Sequence, residues 1–166
     1  MTTTNRIIRM VRRPAVRAMT AAVATGLWAM PLTAQTVTDC EGYVTSAQLV
    51  AEPWERNTAT YAEGAIRVTV MDTVEPAAGA FHLMILSPSD DELGFRACHL
   101  VSETSGIGFG GLTLQGAQAA YDPASGLVLR LRTSFWQPDT DTYVDGTLTV
   151  TINQANGVIS AARDAP

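Results

Sequence analysis

Residues 147–152 read TLTVTI, in which threonine alternates with an aliphatic residue at every position. Because successive side chains of a β-strand point to opposite faces, this period of two predicts a strand with one face in a core and the other in solvent. The same alternation occurs at residues 66–72, IRVTVMD, and at residues 127–134, LVLRLRTS. Three such segments in one chain indicate an antiparallel β fold.

Shorter or more apolar runs predict the remaining strands. These are residues 43–50, 81–86, 95–101, 112–115 and 158–162. Connections rich in Gly, Pro, Asn and Asp separate them, and no sustained helical period follows Ala34; residues 51–62 are predicted to be a loop with one helical turn. We therefore predict an all-β antiparallel meander of about seven or eight strands. It is sandwich-like, with a barrel as the alternative because both architectures give the same alternating strands.

The N-terminal segment has the layout of a secretory signal peptide. Five arginines and no acidic residue precede an uncharged, mostly apolar run at residues 18–32, and small residues stand just before Gln35. That run of fifteen residues is short for a membrane span, which needs about 20. We predict that residues 1–34 are the signal peptide, cleaved after Ala34, and that residues 35–166 are a single secreted β domain. An uncleaved N-terminal anchor is the alternative.

Charge and composition indicate where the protein is located and which partners it does not bind. After Ala34 the chain has six arginines and sixteen acidic residues, a net charge of −10. Such a surface repels phosphate backbones and anionic lipid, so nucleic acid is excluded as a partner and no stable membrane insertion is expected after cleavage. Lysine is absent while arginine and alanine are plentiful, which is typical of a GC-rich bacterial genome. The predicted location is the periplasm or the medium.

The two cysteines, Cys40 and Cys98, are predicted to form a disulfide, because an exported chain meets an oxidising compartment. His99 follows Cys98 directly. Since neighbours on a strand point to opposite faces, the two cannot work as a thiol–imidazole dyad on a regular strand. The residues on the face of His99 are mostly apolar, which favours a partly buried core histidine.

The glycines at 106, 108 and 111 match G-x-G-x-x-G, a pattern found in dinucleotide-binding loops. That fingerprint requires a helix after the glycines, so that the pyrophosphate meets a helix N-terminus. Here residues 112–114 are predicted to be a strand. We interpret the glycines as a flexible connection that displays Phe109, and we predict no cofactor.

Two groups of side chains are candidate metal ligands. Asp139, Asp141 and Asp145 suggest a loose calcium site, but Tyr143 and Val150 occupy the fifth and twelfth positions of the EF-hand pattern, which needs oxygen ligands there. The alternative is a solvated turn. His82 and His99 are the second candidate pair, because histidines on neighbouring strands can meet on a metal.

The sequence favours binding over catalysis. No nucleophile elbow is present, and two strand histidines are a poor basis for a Ser-His-Asp triad. Trp54, Phe109, Trp136 and Tyr143 lie in or beside predicted loops and form the candidate binding surface, because clustered exposed aromatics mark interfaces. The leading hypothesis is a non-enzymatic bacterial envelope module that binds a protein or another envelope component. The alternative is a metal- or small-ligand-binding protein of the same fold, possibly a hydrolase.

Overall fold

The structure, a computed structural model, describes residues 33–164, in which ten strands form two antiparallel sheets of five strands each. The predicted signal peptide lies outside the described residues except for Thr33 and Ala34, and its cleavage stays a prediction. The strands are β1 (Thr33–Ala34), β2 (Thr36–Asp39), β3 (Thr58–Tyr61), β4 (Ile66–Asp72), β5 (Phe81–Ser87), β6 (Ala97–Ser102), β7 (Gly111–Asp122), β8 (Gly126–Gln137), β9 (Thr142–Ile152) and β10 (Ile159–Arg163).

Each sheet is mainly one meander. The N-terminal sheet has the order β2-β6-β5-β4-β3, and the C-terminal sheet has the order β1-β10-β9-β8-β7. The two short first strands each join an edge, and Gln35 connects them, with its backbone N–H donating to the Ala161 carbonyl at 2.9 Å. The prediction of an all-β, sandwich-like fold is confirmed. Among residues 33–164 the sheets do not close into a barrel.

The core lies between the sheets, and period-two alternation builds it. On β8 and β9, Leu129 is paired with Val150 and Leu131 with Leu148, and all four side chains are buried. The threonines that alternate with them point to the outer face. The N-terminal sheet contributes a matching apolar face from β4, β5 and β6: Ile66, Val68, Val70, Leu83, Ile85 and Val101.

The predicted first strand at residues 43–50 is wrong. The structure has two short 3₁₀ turns there, Tyr43–Thr45 and Ala47–Leu49. Ser46 links them: its N–H donates to the Tyr43 carbonyl, and its hydroxyl accepts from the Gln48 N–H at 3.4 Å. Such local hydrogen bonds compete with a strand ladder. The segment reaches β4 through an isolated bridge between Val50 and Met71.

Two strands, β2 and β3, arise where no strand was predicted. The helical turn predicted within residues 51–62 is present at Trp54–Arg56. Strand β7 also extends well past the predicted residue 115. Its register against β8 shifts between Thr113 and Gln118, and Gly116 in this bulge has φ +73°. Glycine adopts that left-handed conformation without strain.

The Cys40–Cys98 disulfide is present, as predicted, with an S–S distance of 2.01 Å. It joins the end of β2 to β6 within the N-terminal sheet, where the Cys40 N–H also donates to the Cys98 carbonyl at 3.1 Å. A disulfide fits a protein of an oxidising compartment outside the cytoplasm. None of the helices within residues 33–164 is long and apolar enough to cross a bilayer.

Candidate functional site

The glycine-rich connection at residues 103–110 leads from the N-terminal sheet to the C-terminal sheet. Phe109 and Phe81 exchange backbone hydrogen bonds of 2.6 and 3.1 Å, and the Gly108 N–H donates to the Gly79 carbonyl at 2.8 Å. The Phe109 side chain is 0% exposed and packs edge-to-face on Phe135, with ring centroids 5.8 Å apart. The prediction that Phe109 faces a partner is therefore wrong. Because the connection passes between the sheets, this side chain enters the core.

Two of the predicted surface aromatics, Trp136 and Tyr143, do come together. They are cross-strand partners on β8 and β9, with ring centroids 4.9 Å apart and planes at 61°. The Tyr143 hydroxyl donates to the Ala77 carbonyl at 3.2 Å, and its ring lies so close to Gly110 that a Cβ atom there would overlap it. Tyr143 is nevertheless 47% exposed. The aromatic pair is therefore at the surface, and Tyr143 is held in place by its contacts with Ala77 and Gly110.

A polar groove of about 580 Å³ lies beside this aromatic pair. We use the name polar groove for the surface formed by Gly111, Thr113, Arg132, Ser134, Asp145 and Thr147. Ser134 pairs with Asp145 and Arg132 with Thr147 across β8 and β9. Both pairs are an even number of residues from Trp136–Tyr143, so all these side chains share the outer face of the C-terminal sheet.

Hydrogen bonds fix part of the polar groove. The Ser134 hydroxyl donates to Asp145 Oδ1 at 2.8 Å, and Arg132 Nη2 donates to the Gln115 carbonyl in the β7 bulge at 3.2 Å. Within residues 33–164, neither Arg132 nor Asp145 forms an ion pair. Asp145 Oδ2 and the other Arg132 donors therefore have no protein partner among residues 33–164.

Trp54, the fourth predicted surface residue, lies on a different part of the molecule. It begins the Trp54–Arg56 turn, next to β3 at the edge of the N-terminal sheet. Its side chain is 57% exposed. Trp54 therefore lies beside the N-terminal sheet, and it serves as an exposed aromatic control outside the Trp136–Tyr143 pair.

The two histidines lie on opposite faces of the N-terminal sheet. His82 is on the outer face and 3% exposed, and its Nδ1 is 2.8 Å from Ser102 Oγ. His99 faces inward with Ile85, its cross-strand partner, and its Nε2 is 3.7 Å from Asp39 Oδ1. The hypothesis that both histidines bind one metal is wrong, because strand alternation separates their rings.

The three predicted calcium ligands lie in different environments. Asp139 and Asp141 are exposed in the turn between β8 and β9, whereas Asp145 accepts from Ser134 inside β9. In the part of the chain that the structure describes, no group of three or more His, Cys, Asp or Glu side chains is placed to hold a metal ion.

A second depression, of about 500 Å³, lies over His82 and Ser102 on the outer face of the N-terminal sheet. Thr36, Thr38 and Val44 are among the residues that line it. A Ser-His-Asp site needs a carboxylate that orients the histidine. No carboxylate among residues 33–164 lies within 4 Å of the His82 ring nitrogens. His82 and Ser102 are therefore a buried hydrogen-bonded pair without an orienting carboxylate within 4 Å among residues 33–164.

Burial lowers the pKa of His82 below its ordinary value of 6.5. The folded protein has the lowered pKa and the unfolded chain has the ordinary one. At a pH between these two values, His82 is protonated in the unfolded chain but not in the folded protein, so the free energy of unfolding should fall as the pH drops below about 6.5. We expect wild type to lose more free energy of unfolding between pH 7.5 and pH 5.5 than His82→Gln, measured by urea denaturation. Other titrating groups cancel in this difference. Equal losses would contradict the assignment to His82.

The sequence indicated Trp136 and Tyr143 but missed Arg132, Ser134 and Thr147 as neighbours. Their outward direction was visible in the alternation, but the register that aligns them across β8 and β9 was not. No protein-family model matches this chain, and no curated protein or solved structure matches it significantly. The functional conclusion rests on the geometry of the polar groove and its aromatic pair.

Proposed function

We propose that this protein is an exported, non-enzymatic binding module of the bacterial envelope, and that it binds through the polar groove and the Trp136–Tyr143 pair. The observation that carries the proposal is the fixed position of Tyr143. Its ring lies on Gly110 and its hydroxyl bonds to Ala77, yet 47% of the residue remains exposed. An aromatic side chain already held in place loses little conformational freedom on binding.

The composition of this surface supports the same proposal. Tyrosine, tryptophan and arginine dominate the energetics of binding sites, and here Tyr143, Trp136 and Arg132 share one face of one sheet. The groove is more open than enclosed, which suits an extended partner. The Cys40–Cys98 disulfide supports the exported location, because such bonds persist in oxidising compartments.

We expect Tyr143→Ala to lower the capture of envelope material at least about tenfold, as loss of a binding hot spot does. The measurement is the amount of envelope extract retained by the immobilised protein. Trp54→Ala and Tyr121→Ala are the matched controls, since both side chains are exposed outside the polar groove. Thermal melts of each variant separate lost binding from lost folding. Unchanged retention by a folded Tyr143→Ala variant would overturn this function.

The second candidate function is small-ligand binding in the depression over His82 and Ser102. Its support is the partial enclosure of that depression and the hydroxyl groups of Thr36, Thr38 and Ser102 that line it. The same variants separate the two candidates. A ligand in that depression would bind equally well to wild type and to Tyr143→Ala, because Tyr143 lies on the other sheet.

A further inference from the structure

We infer that the ligand of the polar groove is a neutral carbohydrate chain; this inference rests on the proposed function and names the class of its ligand. It draws on three properties of the same surface: the mixture of hydrogen-bonding groups, the exposed aromatic ring and the balance of charge.

The hydrogen-bonding groups match a polyhydroxylated ligand. Arg132 donates hydrogen bonds, the carboxylate oxygens of Asp145 accept them, and the hydroxyls of Ser134, Thr147 and Thr113 are of the type that can do both. A sugar hydroxyl is itself both donor and acceptor, so neighbouring hydroxyls on one ring can satisfy a donor and an acceptor at once. Asp145 Oδ2 and the free Arg132 donors present that combination on adjacent pairs of the sheet.

The aromatic ring suits the apolar face of a sugar. One face of a pyranose ring is lined by C–H groups and is apolar, so it packs on the face of an aromatic side chain and removes apolar area from water. Tyr143 is 47% exposed as a residue, and its ring and hydroxyl are held by Gly110 and Ala77. The ring and the polar pairs lie in one row along β8 and β9.

The length of this row favours several linked sugars over one. Pairs on one face of a strand are about 7 Å apart, so about 13 Å separate Trp136–Tyr143 from Arg132–Thr147. The groove volume of about 580 Å³ falls within the usual range for small-ligand sites.

Charge favours a neutral chain. The groove contains one cation, Arg132, and one carboxylate, Asp145, and these balance. The chain as a whole is acidic, with a net charge of −5, which disfavours anionic polymers. A cationic ligand would lie against Arg132 as well as Asp145, so the groove offers it no net attraction. A neutral ligand with many hydroxyls meets neither penalty.

The test is isothermal titration of the protein with neutral linear hexasaccharides of glucose, N-acetylglucosamine, mannose and galactose, and with a hexamer of galacturonate as the anionic comparison. We expect at least one neutral hexasaccharide to bind, and more tightly than galacturonate. Tyr143→Ala should weaken that binding at least tenfold, whereas Tyr143→Phe, which keeps the ring, should change it less than threefold. Asp145→Ala should weaken it as well, with Asp90→Ala as the control at an exposed aspartate outside the groove.

The outcomes are distinct from those of the capture experiment. If no neutral hexasaccharide binds, or if galacturonate binds more tightly, the carbohydrate inference is overturned; a loss of envelope capture by Tyr143→Ala would then still support the proposed function with another ligand. If a hexasaccharide binds equally to wild type and Tyr143→Ala, the polar groove is not its site, and the inference is overturned in that way instead.

Discussion

Phe109→Ala should lower the free energy of unfolding by about 3–5 kcal/mol, the range for removing a buried phenylalanine from a core. The side chain is 0% exposed and lies between the two sheets, in edge-to-face contact with Phe135. Its removal leaves a cavity, and the neighbouring backbone cannot relax into it because Phe109 is tied to Phe81 by two hydrogen bonds. Urea denaturation monitored by tryptophan fluorescence measures the loss.

Phe95→Ala is the matched control for this experiment. Phe95 is 69% exposed in the loop before β6, and surface substitutions of this kind usually change stability by less than about 0.5 kcal/mol. Similar losses for the two variants would mean that Phe109 is not part of the core, and would return it to the candidate surface.

The second large effect is expected at Gly108. A Cβ atom there would overlap the Phe81 carbonyl oxygen and would lie 2.8 Å from the Gly79 carbonyl oxygen and 2.9 Å from His82 Nε2. Two of these neighbours are backbone atoms of β5 and of the turn before it, so they cannot move aside cheaply. We expect Gly108→Ala to lower the free energy of unfolding by more than about 3 kcal/mol, the upper end of ordinary overpacking.

Gly106→Ala separates crowding from backbone strain. Gly106 has φ +78° but nothing within 4 Å of its Cβ position. Alanine there is strained by the left-handed conformation alone, which costs about 1 kcal/mol. Thermal and urea unfolding of both variants should therefore show a much larger loss for Gly108→Ala. Equal losses would show that flexibility, rather than close approach, explains the glycines of this connection.

Alternation predicted the strands whose two faces differ. Ile66–Asp72 was predicted with both bounds correct, and residues 147–152 belong to the longer β9. The shorter run at residues 43–50 predicted a strand wrongly, because Ser46 satisfies local backbone groups there and no residue of the two turns is buried. No strand was predicted at β2, because its four residues are too few to show a clear period of two.

The sequence did not predict which residues pair across strands, nor which aromatic side chains point into the core and which point to solvent. The pairing of Trp136 with Tyr143 depends on the length of the turn between β8 and β9, which composition does not specify. Phe109 and Tyr143 both looked like loop aromatics. Phe109 is buried because residues 103–110 pass between the sheets. Tyr143 lies on the outer face of β9 and is 47% exposed. The disulfide was predictable because it follows from compartment chemistry and not from geometry.

The division of the chain between the sheets has a consequence for how the protein forms during synthesis. Strands β2 to β6 lie within residues 36–102, and β7 to β10 within residues 111–163. A chain that emerges N-terminus first presents every strand of the N-terminal sheet, and both cysteines, before any of the later meander. Because both cysteines belong to this first part of the chain, the Cys40–Cys98 bond does not depend on the later meander, and in an oxidising compartment it can form before β8 and β9 cover the apolar face of the N-terminal sheet.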